Sequence, residues 1–205
     1  KEFLEFICSD ADLSESRPGI QELRNILEEL KNKKASIQRA IENRLLISDP
    51  RYKIFSLSPS DYAVSLAQKE ITVLLPKKLQ PRVGISPIHP NNTAVVLLIC
   101  VAGKSILLGA DLEEPGDDRL GWSRILNSSA GLADKSNAFK IPHHGSSTSH
   151  HDGIWLHLLE ANPAAFLSSF VQGDRILPKK ADMRRILKHT DKVWITTNPY
   201  EKKKA

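Results

Sequence analysis

The histidine-rich stretch from Phe139 to Gly153 holds the residues of this chain that are best suited to chemistry. It reads FKIPHHGSSTSHHDG. The nine positions 143–151 hold four of the chain's seven histidines, which are His143, His144, His150 and His151. A hydroxyl run, Ser146 to Ser149, lies between the two histidine pairs. Imidazole nitrogens bind transition metals, and hydroxyl groups donate hydrogen bonds to phosphate. The stretch is therefore either a metal site that handles phosphate or a polar loop with incidental histidines.

A second candidate is Asp111, which ends the apolar run SILLGAD. Sites are commonly built where strands end at the edge of a layered α/β domain, although a lone Asp there is also a common turn or cap residue. The apolar stretch FKIP would deliver His143 and His144 as a second strand end. Carboxylate oxygen and imidazole nitrogen together suit Zn²⁺, Mn²⁺ or iron, and a carboxylate can bridge two metals. The pairing of these two strand ends favours a metal site.

The other histidines have simpler interpretations. His150, His151 and His157 enter a predicted helix and are expected to be surface or backbone-bonded residues. His89 lies between two prolines, and His189 lies near a helix end, where its charge would suit the helix dipole. We therefore expect these five histidines to be structural.

Helices and strands alternate among the elements that must position the candidate residues. Apolar residues at three- and four-residue spacings predict an amphipathic helix from Pro18 to Leu46, with a break near Lys31–Lys34. Tyr52–Leu57 is typical of a strand, and Ser60 or Asp61 would cap a helix that reaches about Leu75. The further predictions are an irregular proline-rich loop over 76–92, a hairpin over 93–111, a helix over 122–126, a strand over 138–141, a helix over 154–159, a strand over 164–170, a helix over 180–188 and a strand over 192–197. This alternation predicts an α/β layered domain, and the apolarity of the hairpin predicts a sheet covered on both faces.

Composition is that of a globular protein, and its basic balance favours an anionic partner without establishing one. The chain has 205 residues, 40% hydrophobic and 26% charged, and a net charge of +5, part of which comes from the terminal EKKKA. Two cysteines, Cys8 and Cys100, suggest no disulfide framework, and no signal peptide pattern is visible, so we expect a reducing, cytoplasmic location. The longest apolar run, Ala94 to Ala102, is too short to cross a bilayer, so no membrane segment is predicted in this chain.

Three motifs in order resemble the second half of a metallo-β-lactamase-fold hydrolase. The likeness is closest to the ComEC-type branch found in DNA-uptake proteins and related nucleases. That branch shows a polar entry to a strand, a hairpin ending in Leu-Leu-x-Gly-Asp, and then Lys-Val-x-His-His-Gly-Ser-x-x-Ser. Here Asn92-Thr93, Leu107 to Asp111, and Lys140 to Ser149 match this pattern, and FSLSP at 55–59 resembles the preceding strand. The resemblance covers roughly residues 54–197.

The resemblance implies an αββα sandwich with two divalent metal ions along one edge, Zn²⁺ in the first instance and Mn²⁺ as the alternative. Asp111 would bridge the metals, and His143 or His144 would be a ligand while the other holds a substrate phosphate or orients its neighbour. Gly145 would let the backbone approach the substrate closely, and Ser146 and Ser149 would donate hydrogen bonds. Lys140, Arg175, Lys179 and Lys180 either contact a nucleic-acid backbone or form an ordinary solvated face.

The chain departs from the family pattern at three places. The first metal motif, His-x-His-x-Asp-His, is absent from the sequence, Ala110 separates Gly109 from Asp111, and ILPKKAD stands where the branch often has Gly-His-Pro. The chain also begins at Lys1, and its single methionine is Met183. We therefore expect the remaining ligands on an N-terminal half outside this chain, or on a separate chain. Residues 1–50 would be a helical segment leading from that half, and 51–205 would be the C-terminal half of the domain.

Three functions are compatible with these residues. The preferred one is a metal-dependent phosphodiesterase, specifically a nuclease, in which a metal-bound hydroxide attacks phosphorus and which is active only with its first half. The second is a hydrolase of a small phosphorylated or ester substrate on the same fold. The third is a non-catalytic binding module with an incomplete metal site. The intact Asp111 and HHGS favour an enzyme, whereas the absent first motif favours the module.

Overall fold

The computed structural model describes residues 18–34, 38–74, 89–128 and 135–200. The chain forms two compact units, Lys1–Arg39 and Ala40–Ala205. The described part of the first unit is helix α1, Pro18–Asn32. No helix within the described ranges is both long and apolar enough to cross a lipid bilayer.

Strands and helices alternate along the second unit. Its strands are β1 Arg44–Asp49, β2 Tyr52–Ser56, β3 Leu97–Val101, β4 Lys104–Leu108, β5 Ser136–Lys140, β6 Leu159–Leu167, β7 Phe170–Gln172, β8 Arg175–Leu177 and β9 Val193–Ile195. Its helices are α2 Asp61–Leu74, α3 Gly121–Ser128 and α4 Lys180–Ile186. Shorter helical turns occur at Pro90–Thr93, His143–Gly145, Ser147–Ser149 and, with π geometry, Ile154–Leu158. The predicted mixed α/β class is confirmed.

Seven of the strands form one mixed sheet in the order β1-β2-β3-β4-β5-β6-β9, and β7 pairs with β8 apart from it. The first four strands of the sheet are antiparallel to one another. From β4 onward the neighbours run parallel. Because the carboxyl ends of parallel strands lie at the same edge, this topology brings the segments that follow β4 and β5 together.

One face of the sheet carries the core. Leu98, Leu107, Phe139 and Ala165 are aligned across β3 to β6 and are buried. The side chains that cover them come from α3, the π-helical turn and α4, and they are Trp122, Ile125, Ile154, Trp155 and Ile186. Phe139 lies between two of these rings in edge-to-face contacts, 6.1 Å from Trp122 and 5.4 Å from Trp155. This packing fixes β5, which leads directly into the histidine-rich stretch.

The opposite face of the sheet is apolar but less covered. Its register aligns a row of half-buried residues across β2 to β6, which are Ile54, Ile99, Ile106, Ala138 and Ala164. Phe166 and Trp194 stack on this face with centroids 5.1 Å apart, and they are 43% and 52% exposed. Within the described part of the second unit, helices therefore cover one face, whereas the sequence predicted cover on both.

The predicted helix over 18–46 is confirmed for Pro18–Asn32 and wrong for residues 44–46, which belong to β1. This strand pairs with β2 from Arg44 opposite Ser56 to Asp49 opposite Tyr52, so it belongs to the sheet and not to the predicted helical segment 1–50. The apolar residues of this segment are compatible with both a helix and a strand, and pairing with β2 decides in favour of the strand. The missed signal was Asp49-Pro50, a turn dipeptide, since the Arg51 N–H donates to Asp49 Oδ1 at 2.9 Å.

Two predicted elements near the C-terminus also have different bounds. The helix over 154–159 is a single π-helical turn, Ile154–Leu158, and the strand predicted over 164–170 is β6, which runs from Leu159 to Leu167. Phe170 begins β7 of the separate hairpin. Ile154, Trp155 and Leu159 are buried in the core, and burial is compatible with either helix or strand.

The other local predictions hold where the structure describes them. Ala102 and Gly103 have φ values of 49° and 72°, which suit the two-residue turn of the β3–β4 hairpin. Ser60 caps α2, because its Oγ accepts the Ala63 N–H at 3.1 Å. Most of the proline-rich loop predicted over 76–92 lies outside the described residues.

Candidate functional site

The segments that follow β4 and β5 meet at one edge of the sheet. The Gly109 N–H donates to the carbonyl of Lys140 at 3.0 Å, and the His143 N–H donates to the carbonyl of Ala110 at 3.1 Å. The backbone segments that carry Asp111 and the histidine pair therefore lie next to each other at this edge of the sheet.

The backbone at this edge is strained. Ala110, His143 and His144 have φ values of 47°, 44° and 56°, and Gly145 has a φ of 79°. A left-handed conformation costs a non-glycine residue on the order of 1 kcal/mol or more, so the surroundings must hold these residues in place. Such strain concentrates at functional sites.

Arg185 of α4 braces the histidine turn. Its Nη2 donates to the Gly145 carbonyl at 2.7 Å, and its Nη1 donates to Asp182 Oδ1, also at 2.7 Å. Asp182 is 4% exposed and accepts the Lys179 N–H at 2.9 Å. A half-buried, charge-paired arginine thus ties α4 to the turn. Sequence reasoning missed this contact, since nothing in the sequence pairs two residues that are 40 positions apart.

His143 lies between a carboxylate and a guanidinium. Its Nδ1 is 2.7 Å from Glu113 Oε1, and its Nε2 is 3.5 Å from Arg175 Nη2. Thr148 Oγ1 donates to the same Glu113 oxygen at 3.3 Å. With Nδ1–H donating to Glu113, the Nε2 lone pair faces Arg175. Sequence reasoning missed Glu113, although its place two residues after Asp111 was a usable signal.

His144 has a different environment. Its Nδ1 lies 3.1 Å from both the carbonyl oxygen and the Oγ of Ser168. Its ring packs beside Phe170 with centroids 5.1 Å apart. Donation from Nδ1–H to the Ser168 carbonyl leaves a lone pair on Nε2, and metal-binding histidines are commonly oriented by such a bond. Of the two histidines, His144 is therefore the better candidate ligand.

The glycine and serines of the turn hold its shape. Gly145 is buried against Ile186, Leu167 and Pro178, and its positive φ explains why glycine stands there. Ser146 Oγ accepts the Thr148 N–H at 3.3 Å, and Ser149 Oγ donates to the Ser146 carbonyl at 2.9 Å. Ser149 is 2% exposed. The structure thus assigns Gly145 and Ser149 to the frame of the turn, whereas the sequence placed both against the substrate.

The four basic residues predicted to contact a phosphate backbone have unequal positions. Lys140 is half-buried beside the strand ends, where burial lowers the pKa of its amino group and Asp111 opposes that effect. Arg175 is exposed and also lies over the Phe170 ring at 5.9 Å. Lys179 and Lys180 are exposed at the start of α4. Of these four residues, Arg175 is therefore the one whose charged group both contacts the histidine pair and is open to solvent.

The described residues do not fit two metal ions by themselves. Asp111 makes no hydrogen bond within the described ranges. Its carboxylate and the Nε2 of His144 are suitable metal ligands. However, His143 faces the positive charge of Arg175 at Nε2. Across those ranges, the trio of metal-binding side chains whose ligand atoms lie within 4.8 Å of one another is His150, Asp152 and His189, and not the predicted trio.

The close contact of the two strand ends depends on Gly109. A Cβ at this position would lie 2.9 Å from the Lys140 carbonyl oxygen and 3.0 Å from two carbons of Pro142. We expect Gly109→Ala to reduce the free energy of unfolding by about 1–3 kcal/mol, because backbone atoms cannot move aside cheaply. Urea denaturation of both proteins measures the change. Ala102→Gly at the far hairpin is the matched control, and a Gly109→Ala protein as stable as the parent would contradict the packing described.

A wide groove of about 730 Å³ lies elsewhere, at the edge that carries the β3–β4 hairpin turn. Its lining mixes basic residues such as Arg51 and Lys104 with acidic Asp49 and Glu160. It carries neither the histidine pair nor Asp111. The groove is therefore an alternative place for a ligand to bind, and substitutions in it serve as controls for substitutions at the histidine pair.

Comparison with known proteins adds no assignment, since no family model, curated protein or solved structure matches this chain. The resemblance to the metallo-β-lactamase fold stays a prediction. Function must be argued from the residues at the edge of the sheet.

Proposed function

We propose that the protein is a phosphodiesterase of the metallo-β-lactamase type, acting on nucleic acid, whose substrate phosphate binds at the edge that follows β4 and β5. The observation that supports this best is the backbone contact between the segment that carries Asp111 and the segment that carries His143 and His144, where Ala110 and both histidines have a left-handed backbone. Strained backbone of this kind clusters at active sites and ligand clamps. An acid and two imidazoles at one strand edge suit phosphoryl chemistry.

Arg175 is the proposed phosphate contact. Its guanidinium is exposed and reaches His143 Nε2 at 3.5 Å, so it stands at the site with donors directed toward solvent. A planar guanidinium binds two oxygens of one phosphate. Lys140 adds a second positive charge close to Asp111. The net charge of +5 would attract a polyanion to the chain.

The remaining ligands of a two-metal site would come from an N-terminal half of the protein or from a separate chain. This chain would contribute Asp111 and His144 Nε2, with the Ser168 carbonyl orienting the imidazole. When bound, such metals would supply a hydroxide at neutral pH and neutralise charge on the phosphate. Zn²⁺ suits these donors, and Mn²⁺ is the alternative.

The less covered sheet face offers a surface for that first half. Phe166 and Trp194 form an exposed aromatic stack next to a row of half-buried aliphatic residues. Apolar faces of this kind mark interaction surfaces. In an αββα sandwich a second sheet would pack against this face, and its edge would then adjoin the residues after β4 and β5.

Salt dependence of DNA binding tests the substrate class. We expect protein inactivated by Asp111→Asn to bind a short single-stranded DNA with an affinity that falls steeply with salt, because phosphate contacts release counterions. Arg175→Ala should weaken binding and reduce the logarithmic salt slope by about 1. Fluorescence anisotropy over a salt series measures both quantities. Arg51→Ala, in the groove at the far edge, is the matched control.

Two results would contradict the nucleic-acid proposal. A shallow salt slope with no effect of Arg175→Ala, together with turnover of a small phosphodiester, would favour the hydrolase of small substrates. Loss of DNA binding in Arg51→Ala but not in Arg175→Ala would place the ligand in the far groove.

A second candidate function is a phosphate-binding module that needs no metal. Both ring nitrogens of His143 are already engaged, by Glu113 and by Arg175. A phosphate beside Arg175 would complete this arrangement without a cation. Such a module would bind DNA equally well in the presence of a chelator, whereas the phosphodiesterase would lose its activity there.

A further inference from the structure

Two histidines far apart in the sequence converge on one carboxylate away from the edge described above. His150 Nε2 lies 3.0 Å from Asp152 Oδ1, and His189 Nε2 lies 3.6 Å from the same oxygen. The three ligand atoms lie within 4.8 Å of one another. The sequence indicated structural roles for both histidines, and nothing in it pairs a residue of the loop with one that follows α4.

Two of the three spacings among these atoms are close to those between ligands of one metal ion. Tetrahedral Zn²⁺ with ligand bonds of about 2.05 Å separates its ligand atoms by about 3.3 Å. The two distances to Asp152, 3.0 Å and 3.6 Å, lie on either side of that value. A hydrogen bond accounts for the shorter contact, but 3.6 Å is too long for one. A small closure of the two imidazoles would complete the geometry.

The surrounding structure holds both imidazoles in place. The His189 ring stacks on Trp155 with centroids 4.7 Å apart and planes 6° from parallel. The main chain at both residues is also fixed, because the backbone N–H of His189 donates to the Ile186 carbonyl at 3.0 Å and the backbone N–H of His150 donates to the Ser147 carbonyl at 3.2 Å. The charge of the nearby Arg185 is paired with Asp182 at 2.7 Å. Pre-positioned ligands reduce the cost of binding an ion.

We propose that His150, Asp152 and His189 bind one Zn²⁺ ion, with water as the fourth ligand. The ion would clamp the end of the histidine-rich stretch to the segment after α4. Two nitrogens and one carboxylate oxygen are a usual Zn²⁺ donor set. The site shares no residue with the proposed phosphodiesterase site and does not depend on that function.

Zinc titration of the complete 205-residue chain tests the proposal. Metal-free protein is titrated with ZnCl₂ by calorimetry, and Co²⁺ binding is followed by its visible absorption. We expect one tight ion, and we expect its affinity to fall by about 100-fold or more in His189→Ala and in Asp152→Asn. Asp152 is 74% exposed, so its amide variant keeps the fold. Zn²⁺ should raise the Tm of the parent protein but not that of Asp152→Asn.

Matched controls separate this site from other metal binding. His157→Ala removes an exposed histidine of the same region, and His144→Ala removes the candidate ligand at the sheet edge. Both should keep the tight ion. The proposal is overturned if the parent binds no tight Zn²⁺, if Asp152→Asn binds as the parent does, or if His144→Ala removes the ion.

Discussion

Replacing Asp111 by alanine is expected to lower metal-dependent phosphodiester hydrolysis by about 1,000-fold or more in a form of the protein that holds both parts of the site. The carboxylate follows β4, beside a backbone contact in which the His143 N–H donates to Ala110 at 3.1 Å. In the proposed site Asp111 would supply a carboxylate to hold the metal ions, and alanine offers no oxygen in its place. Initial rates on a chromogenic phosphodiester with Zn²⁺ or Mn²⁺ measure the effect.

Asp118→Ala is the matched control, since Asp118 is exposed in the loop that follows β4. It should retain the activity of the parent protein. His144→Ala should reduce activity severely, because its Nε2 is the proposed imidazole ligand and its Nδ1 is held by the Ser168 carbonyl at 3.1 Å. Activity near the parent level in Asp111→Ala would refute the assignment of this edge as the catalytic site.

Phe139→Ala is expected to reduce the free energy of unfolding by about 3–5 kcal/mol. Phe139 is 1% exposed and makes edge-to-face contacts with Trp122 and Trp155. Its removal would leave a cavity between β5 and the two covering elements, whose rings cannot collapse far because each is held elsewhere in the core. Urea denaturation of the 205-residue chain measures the loss.

The control for this change is Trp194→Ala. Trp194 is aromatic and at least as large as Phe139, but it is 52% exposed. Its truncation should therefore reduce the free energy of unfolding of this chain by no more than about 1 kcal/mol. A similar loss in both variants would mean that the two sheet faces are equally buried. That result would contradict the proposed surface for a second sheet as well as the core described here.

Local patterns in the sequence determined most of the sheet. The hairpin over Leu97–Leu108 follows from two apolar runs joined at Ala102-Gly103, and α2 follows from its Ser60 cap. These elements depend on neighbouring residues, so their signals are local. β1 was missed because its apolar residues fit helical spacing too, and pairing with β2 decided between the two.

The same distinction applies to the candidate site, where the sequence indicates the residues and the tertiary structure shows their partners. Asp111, His143 and His144 could be named from their places after two apolar strands, because parallel topology brings strand ends together. The sequence could not show that Glu113 and Arg175 flank His143, that Arg185 braces Gly145, or that His189 meets His150 at Asp152. Those contacts join residues of separate elements, and only packing of α4 and β8 against the loop after β5 sets their distances. The sequence determined which groups could do chemistry, and the tertiary structure decided which partners each group has.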